Sequence, residues 1–352
     1  IKMLSSRFLS HAKPSKFARL FCNISKYSED SIPGALKEAR RENEWIDVAR
    51  FHSQDQNWTI KELDQHSAAF AYGLVERGYT PGDKLLMWVD DEHSAEVAVA
   101  QIGAIKAGVS IVSVDGRDDE MHHVGDALDL SGAKGLLFSP HTKVEGHQRA
   151  NLLLELMPEL IDHYPGRELN VKNFPKLTNI IHTGHSTIRG TTKFKENMLY
   201  TKPSLTTLKI PGTDSKSLAF EYYNRGEYAT KLSNKEVLEK SKEIWNNYLS
   251  KGDKKLPVFL TLSLQSPLGF ATFLSSITNG KKVFLPSSYN MAKIAKSFGS
   301  QRSDLLVCNE EVYKFEAPAH KTEEVSELKE GFEQILVPTH STSLGFNVYN
   351  EF

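Results

Sequence analysis

The stretch of sequence that decides the fold runs from Trp58 to Val89 and reads WTIKELDQHSAAFAYGLVERGYTPGDKLLMWV. Its opening residues, Thr59 to Glu62, have the spacing of a helix capping box, and apolar residues then recur at helical intervals as far as Gly78. Pro81-Gly82-Asp83 predicts a turn, and Lys84 to Val89 is typical of a buried strand. The stretch therefore predicts a helix that leads into a core strand.

The sequence that follows repeats this alternation. Ala95 to Ala107 predicts an apolar helix ended by Gly108, and Ile111 to Val114 predicts the next strand. A second unit has a helix from His122 to Leu130 and a strand from Ala133 to Phe138. Strands and helices that alternate with short connections predict a mainly parallel sheet covered by helices, and so an α/β fold.

Several segments together resemble one enzyme family. They are the stretch quoted above, AQIGAIKAGVSIVSVD, LSGAKGLLFS, FPKLTNIIHTG and IRGTTKFKENMLY. In this order they are similar to the N-terminal part of the adenylate-forming (AMP-binding) acyl-CoA synthetases, and in particular to the mitochondrial medium-chain acyl-CoA ligase group. The resemblance extends from about Ser31 to Phe352 and is dense only as far as Tyr200.

This resemblance implies a domain organisation. Residues 31–215 and 216–352 are expected to form two subdomains of mainly parallel sheet flanked by helices, the second of them partial. This is the plan of the large N-terminal domain of acyl-CoA synthetases, in truncated form. The C-terminal catalytic domain of the family is expected to be absent. Residues 1–30 are expected, from their composition and not from the resemblance, to be a mitochondrial transit-like basic leader.

The resemblance also implies a degenerate phosphate loop. Where the family keeps a Gly, Ser and Thr loop that ends in Pro-Lys-Gly, this chain has EYYNRGEYATK, from Glu221 to Lys231. A loop that wraps a triphosphate needs small residues, so that backbone N–H groups can approach the oxygens. When Leu232-Ser233-Asn234 is aligned with the Leu-Ser-His of the family, Tyr222 and Arg225 occupy two glycine positions. Tyr228 then occupies the position of the lysine. A gapped alignment recovers one glycine but not the lysine. The degenerate positions are Tyr222, Arg225, Gly226, Tyr228 and Lys231.

A second family segment, Pro-Leu-Tyr-His-x-x-Gly, lines the acyl and nucleotide pocket. It appears here as SLQSPLG, from Ser263 to Gly269, with Ser266 as a degenerate pocket position in place of the histidine. The magnesium-binding acid, the ribose motif and the catalytic lysine of the family would follow Pro338 and are not found before Phe352. Attack of a carboxylate on the α-phosphate requires magnesium and a lysine to neutralise the negative charge of the reacting groups. Because these groups are not found, we predict an inactive member of the family with no catalytic residue, cofactor or metal.

The N-terminal segment predicts the subcellular location of the protein. Met3 to Ser28 is rich in serine and contains no acidic residue; its basic residues are Arg7, Lys13, Lys16, Arg19 and Lys26. This amphipathic pattern is typical of a mitochondrial transit segment, which places the protein in the matrix or on the matrix face of the inner membrane. An ordinary basic tail is the alternative. Lys13, Lys16 and Arg19 could contact anionic lipid, although an import signal explains them better.

Composition limits the function classes. The chain has 352 residues, 39% of them hydrophobic and 25% charged, as in a soluble protein of about two domains. A net charge of −1 favours neither nucleic acid nor an anionic membrane, and no apolar stretch is long enough to span a bilayer. Cys22 and Cys308 are too few for a disulfide framework or a zinc site. The expected partners are other protein subunits, with peripheral membrane association as a possibility.

For the other candidate residues, a structural explanation is the alternative to metal or ligand binding. His122, His123, His141 and His147 lack the spacing of metal ligands and suit surface or capping positions. His182 and His185 lie near a predicted strand end, where ligands often bind in α/β sheets, but polar loop residues are also common there. Ser341 to Gly345 could mimic a phosphate nest, yet it follows no Gly-Lys pattern.

Three functions remain. The first is a catalytically inactive, structural or accessory subunit of a mitochondrial complex, such as the respiratory chain or ATP synthase. The second is a module that binds acyl-CoA, fatty acid or nucleotide in a residual cleft. The third is an ATP-dependent acyl-CoA ligase that another chain completes. The first is favoured by the leader and by the altered motifs.

Overall fold

Helices and strands alternate along the chain in the computed structural model. The structure describes residues 27–89, 94–114, 121–140, 149–201, 210–211, 213–224, 227–253, 255–286, 303, 305–308, 334–338 and 346–349. Within these ranges the helices are α1 (Ile32–Asn43), α2 (Ile60–Glu76), α3 (Ala95–Lys106), α4 (Met121–Ser131), α5 (Arg149–Leu156), α6 (Asn234–Ile244) and α7 (Pro267–Thr278). Short helical turns cover His52–Gln54, Pro158–Asp162, Phe194–Asn197 and Trp245–Leu249.

The strands of the described residues form two sheets. They are β1 (Asp47–Phe51), β2 (Gln56–Thr59), β3 (Lys84–Trp88), β4 (Ser110–Ser113), β5 (Gly135–Phe138), β6 (Asn179–His182), β7 (Thr192–Lys193), β8 (Leu218–Asn224), β9 (Glu227–Ser233), β10 (Val258–Leu260), β11 (Val283–Leu285), β12 (Leu305–Val307), β13 (Gln334–Pro338) and β14 (Phe346–Tyr349). The first sheet has the order β14-β13-β12-β10-β11-β1-β2, and the second has the order β7-β6-β5-β3-β4-β8-β9.

Most neighbouring strands are parallel. The antiparallel pairs are β1 with β2, β13 with β14, and β8 with β9, each at one edge of a sheet. Because β3, β4, β5, β6 and β8 all run in one direction, their carboxyl ends meet at a single edge of the second sheet. This edge is where α/β folds place their ligands.

Two apolar cores hold the layers together. The larger core lies between the sheets and contains side chains of α1, α2, α3 and α7, among them Phe70, Ile102 and Phe273. The smaller core covers the other face of the second sheet, under α4 and α5. Successive strand residues supply both cores: Leu136 faces the smaller one and Leu137 the larger one, as the pleat of a strand requires.

The helix signals of the sequence are confirmed. Thr59 Oγ1 accepts a hydrogen bond from the Glu62 backbone N–H at 3.2 Å, and the Thr59 N–H donates to Glu62 Oε2 at 2.8 Å, so the capping box is complete. Gly78 and Gly108 follow α2 and α3 with φ values of +79° and +74°. Both glycines occupy the left-handed region in which helices commonly end.

One glycine allows a close approach that positions residues of the cavity described in the last part of Results. A Cβ atom at Gly73 of α2 would fall on the carbonyl oxygen of Asn197, in the turn after β7. The same contact stacks Phe70 on Phe194, with ring centroids 4.9 Å apart. The Leu199 N–H donates to the Ala69 carbonyl at 3.0 Å. Residues 194–200 are thereby fixed against α2.

The predicted fold class is confirmed: the chain has an α/β fold with two mostly parallel sheets flanked by helices. The boundary between residues 215 and 216 stays a prediction. Strands from both sides of it share each sheet, because β8 pairs with β4 and β1 pairs with β11. Among the described residues, no helix is both long and apolar enough to cross a membrane.

Candidate functional site

The predicted phosphate loop is largely a β-hairpin. β8 runs parallel to β4, and β9 returns antiparallel to β8 with Tyr222 opposite Thr230 and Asn224 opposite Glu227. Tyrosine and threonine favour strands, which explains why these residues are not an open loop. Arg225 and Gly226 join the strands and lie outside the described residues.

The two tyrosines of β8 point into different cores. Tyr222 is half-buried and packs against the core between the sheets, whereas Tyr223 is 2% exposed in the smaller core. The backbone of Tyr228 belongs to β9, but its side chain lies outside the described part of the chain. Whether the five hairpin positions are degenerate therefore stays a prediction.

A buried carboxylate lies at the base of the hairpin. Glu221 is fully buried, and its carboxylate oxygens lie 2.7 Å from Lys84 Nζ and 4.0 Å from Lys231 Nζ. The contacts are ion pairs rather than directional hydrogen bonds, because neither oxygen meets hydrogen-bond geometry. Two cations offset the cost of burying this charge. The side chain of Lys231 is 49% exposed and brings positive charge to the surface of the hairpin.

The predicted pocket position Ser266 is a helix cap. Its hydroxyl accepts from the Gly269 N–H at 3.1 Å and donates to the Ser263 carbonyl at 2.7 Å. Serine is a preferred residue at the N-cap, so this position has a structural explanation. Whether Ser266 also belongs to a degenerate pocket stays a prediction.

Gln265 connects the two sheets, and sequence reasoning missed it. Its Nε2 donates to the Val89 carbonyl at 2.7 Å, and its Oε1 accepts from the Val89 N–H at 3.4 Å. Gln101 of α3 donates to the neighbouring Leu264 carbonyl at 2.6 Å. The segment after β10 is thereby fixed beside the carboxyl end of β3. A glutamine at a position where the resembling family has an aromatic residue was the available signal.

The two histidines near the end of β6, His182 and His185, differ in burial. His182 is fully buried at the end of β6, and within the described residues neither ring nitrogen has a hydrogen-bond partner. Burial lowers the pKa of His182, against the opposing effect of Glu196. His185 is exposed and lines a cavity with Glu96 and Tyr200. The two side chains therefore lie in different environments.

His141, His147 and Ser341 to Gly345 lie outside the described residues, as does the side chain of His122. Within the described ranges, no group of three His, Cys, Asp or Glu side chains could hold a metal ion. The expectations of no metal and no cofactor stay predictions.

The candidate site is therefore the carboxyl edge of the sheets. It combines the end of the β8–β9 hairpin, the end of β3 at Val89 and the segment from Ser263 to Ser266 after β10. Residues 37–194 match the family described as AMP-binding enzyme. This match covers helices α2 to α5 and strands β1 to β7, which include one side of that edge.

Solved structures share the fold over almost the whole chain. A fatty acyl CoA synthetase of Mycobacterium tuberculosis matches with a TM-score of 0.64 and 13% identity, over 88% of this chain and 55% of that one. The luciferase-like enzyme of the mealworm Zophobas morio matches with a TM-score of 0.67 and 15% identity, over 93% and 76%. A fatty acyl-adenylate ligase of L. pneumophila, in complex with acyl adenylate and pyrophosphate, matches with 0.63 and 15%, over 88% and 50%.

The chain spans about half to three quarters of the length of these structures. None of the curated proteins matches it in sequence. The acyl-CoA-synthetase-like, AMP-binding fold follows from the family match and the shared architecture.

The prediction of an inactive protein is wrong. The chain matches a family of enzymes over residues 37–194, and its fold is that of adenylate-forming ligases. The prediction depended on residue types in a hairpin whose turn lies outside the described residues, and on motifs expected beyond Phe352. The position at which this sequence ends carries no information about residues that would follow it.

Proposed function

We propose that this chain is the nucleotide-binding part of an adenylate-forming enzyme that activates a carboxylic acid, as acyl-CoA ligases do. The observation that supports it most is the match of residues 37–194 to AMP-binding enzymes, on two sheets whose parallel strands end at one edge. Adenylation joins the carboxylate oxygen of the acid to the α-phosphorus of ATP and releases pyrophosphate. The reaction needs a polar, positively charged surface for the phosphates.

The hairpin offers part of that surface. Lys231 of β9 supplies a partly exposed ammonium group, which lies 4.0 Å from the carboxylate of Glu221 at the base of the hairpin. The cap at Ser266 and the bonds from Gln265 to Val89 hold the neighbouring segment in place. The role of Lys231 is to attract the phosphates, and that of Gln265 is to position the segment after β10.

The test is binding and exchange in the full chain. We expect saturable heat when Mg·ATP is titrated into the protein in a calorimeter, and exchange of labelled pyrophosphate into ATP with at least one acid from a panel of aliphatic and aromatic carboxylates. Lys231→Met should weaken ATP binding roughly tenfold, because a charged contact is lost. Lys235→Met, an exposed lysine of the following helix, is the matched control.

Each result bears on the proposal. Absence of both heat and exchange in a folded protein would overturn it. Heat without exchange would restrict the function to binding of nucleotide or acyl ligands. Exchange that appears only when a second chain is added would identify an enzyme completed by that chain.

We also propose that the protein is imported into mitochondria and works there within a protein assembly, such as the respiratory chain or ATP synthase. The support is the basic, acid-free segment from Met3 to Ser28. We expect import into isolated mitochondria and migration as a large species in a native gel. Replacement of its five basic residues by glutamine should abolish import. Import of this variant, or migration at the mass of a single chain, would contradict the respective part.

A further inference from the structure

A cavity of about 500 Å³ lies away from the hairpin. Its lining comes from Gln54 and β2, from α2, from Val89 after β3, from the start of α3 and from residues that follow β6 and β7. β6 and β7 are at one edge of the second sheet, and β8 and β9 are at the opposite edge. The cavity shares Val89 with the candidate site, but it shares no lining residue with the hairpin or with the segment from Ser263 to Gly269. Its volume is typical of sites for small molecules.

One wall of the cavity is aromatic and ordered. The rings of Trp58 and His66 lie 4.6 Å apart at 31°, and Tyr200 meets His66 edge-on. The Tyr200 hydroxyl and His66 Nδ1 are 2.6 Å apart, which fixes the tyrosine ring although that residue is 63% exposed. Burial lowers the pKa of His66, against the opposing charge of Glu62, and so favours the neutral imidazole.

The floor of the cavity is apolar. Val89, Ala95 and Val99 are buried, and Phe194 is 6% exposed. Met198 adds a polarisable side chain that adapts to the shape of a ligand. The interior therefore suits a hydrocarbon or aromatic body.

Among the described lining residues, the half-buried charged side chain is that of Glu96, which is negative. Glu96, in the first turn of α3, accepts a hydrogen bond from Gln54 Nε2 at 2.6 Å, and Gln54 Oε1 in turn accepts from the Ala95 N–H at 2.8 Å. Glutamine thus holds one carboxylate oxygen, and within the described residues the other has no hydrogen-bond partner. Lys195, the lysine among the described lining residues, is exposed and reaches solvent through a flexible stem.

We propose that this cavity binds an organic ammonium ion, a protonated amine carried on an apolar or aromatic body. The amine would donate to the second oxygen of Glu96, and the rings of Trp58 and Tyr200, which line the cavity, would supply the π-electron density that attracts cations. The body would contact Val99 and Phe194. This inference does not rest on the proposed function, since the ligand is a cation and no nucleotide is required.

The test compares three probes of one shape in the absence of ATP. Naphthylmethylammonium, naphthylmethanol and naphthoate are titrated into the full chain, and binding is followed by ligand-observed NMR. We expect the ammonium to bind roughly tenfold more tightly than the neutral alcohol, and naphthoate to bind most weakly. Equal affinities, or a preference for naphthoate, would overturn the proposal.

Variants then assign the site. Glu96→Gln should weaken ammonium binding about tenfold through loss of the charged hydrogen bond, and Tyr200→Ala about fivefold through loss of the ring face. Glu155→Gln and Tyr164→Ala, exposed residues outside the cavity, are the matched controls. Circular dichroism verifies folding in each variant.

A charge reversal keeps the proposal falsifiable if Glu96→Gln unfolds the protein. Glu96→Lys should invert the preference, so that naphthoate binds more tightly than the ammonium. Removal of the rim cation in Lys195→Gln should leave ammonium binding unchanged or slightly stronger. Ammonium binding that survives Glu96→Lys and Tyr200→Ala at full strength would locate the ligand elsewhere and refute the assignment.

Discussion

At the residue scale, the clearest energetic feature is a buried ion pair between α2 and α3. Lys106 is 2% exposed, and its Nζ donates to Asp64 Oδ1 at 2.6 Å, to the Asp64 carbonyl at 2.8 Å and to Ser67 Oγ at 2.8 Å. Arg40 donates to the other oxygen of Asp64 at 2.6 Å. Burial raises the pKa of Asp64, but Lys106 and Arg40 outweigh it and lower the pKa overall.

We expect the two halves of this pair to respond unequally to substitution. Asp64→Asn leaves the ammonium group of Lys106 buried without its counter-ion and should cost about 3–5 kcal/mol in free energy of unfolding. Lys106→Met removes the buried charge and leaves Asp64 with Arg40, so it should cost less. Urea denaturation measures both. A larger loss in Lys106→Met would contradict this account.

His182 predicts a pH dependence of stability. Its pKa is lowered by burial, so the folded state resists protonation at a pH where the unfolded chain, with an ordinary pKa of about 6.5, accepts a proton. The free energy of unfolding should therefore fall as the pH drops below about 6.5. His66, whose pKa burial also lowers, contributes in the same direction.

His182→Leu tests this assignment. Leucine suits the apolar surroundings of Phe138 and cannot be protonated, so the loss of stability between pH 7.5 and 5.5 should shrink by up to about 1.4 kcal/mol per pH unit. A further decrease is expected in the double variant with His66→Gln. Denaturant titrations across this pH range provide the measurement, and unchanged slopes in both variants would refute it.

At the element scale, the loop that leads into α7 depends on Gln265. Replacement by alanine leaves the buried N–H and carbonyl of Val89 without partners, so Gln265→Ala should lower the free energy of unfolding by about 2–4 kcal/mol. Gln65→Ala, an exposed glutamine of α2, should change it by less than about 0.5 kcal/mol. Urea denaturation compares the two, and equal losses would show that the bonds to Val89 do not stabilise this loop.

The elements themselves were largely predictable because their signals are local. The capping box at Thr59, the apolar run from Ala95 and the glycines that end α2 and α3 are each read from a few adjacent residues. The hairpin from Leu218 to Ser233 was not predicted, because family alignment favoured a loop over the strand tendency of its tyrosines. The cap at Ser266 was missed for the same reason.

At the scale of the whole molecule, strands far apart in sequence complete each sheet. β1 and β2 join the sheet of β10 to β14, and β8 and β9 join the sheet of β3 to β7. The larger core needs Phe70 of α2 and Phe273 of α7 together. Residues 31–215 and 216–352 therefore depend on each other for burial of apolar surface.

We expect residues 31–215 to be unable to fold alone. Without β8 and β9 the second sheet has an open edge at β4, and without α6 and α7 the larger core is exposed to water. The fragment should show no cooperative thermal transition, whereas the full chain should show one. Calorimetry of both tests this, and a cooperative transition in the fragment would indicate an independent domain.

The candidate site shows where prediction from the sequence ends. Residue types suggested which family segments the hairpin and the stretch from Ser263 to Gly269 resemble, but they did not predict that the two segments lie close together in the folded chain. Gln265 and Val89, which share two hydrogen bonds, are 176 positions apart in the sequence. His66 and Tyr200, which meet beside Trp58, are 134 positions apart. The sequence alone was enough for the fold class and its main helices and strands, since periodicity and capping act over a few residues. The linkage of the sheets and the cavity of about 500 Å³ required the folded chain, because packing and burial arise only when distant segments meet.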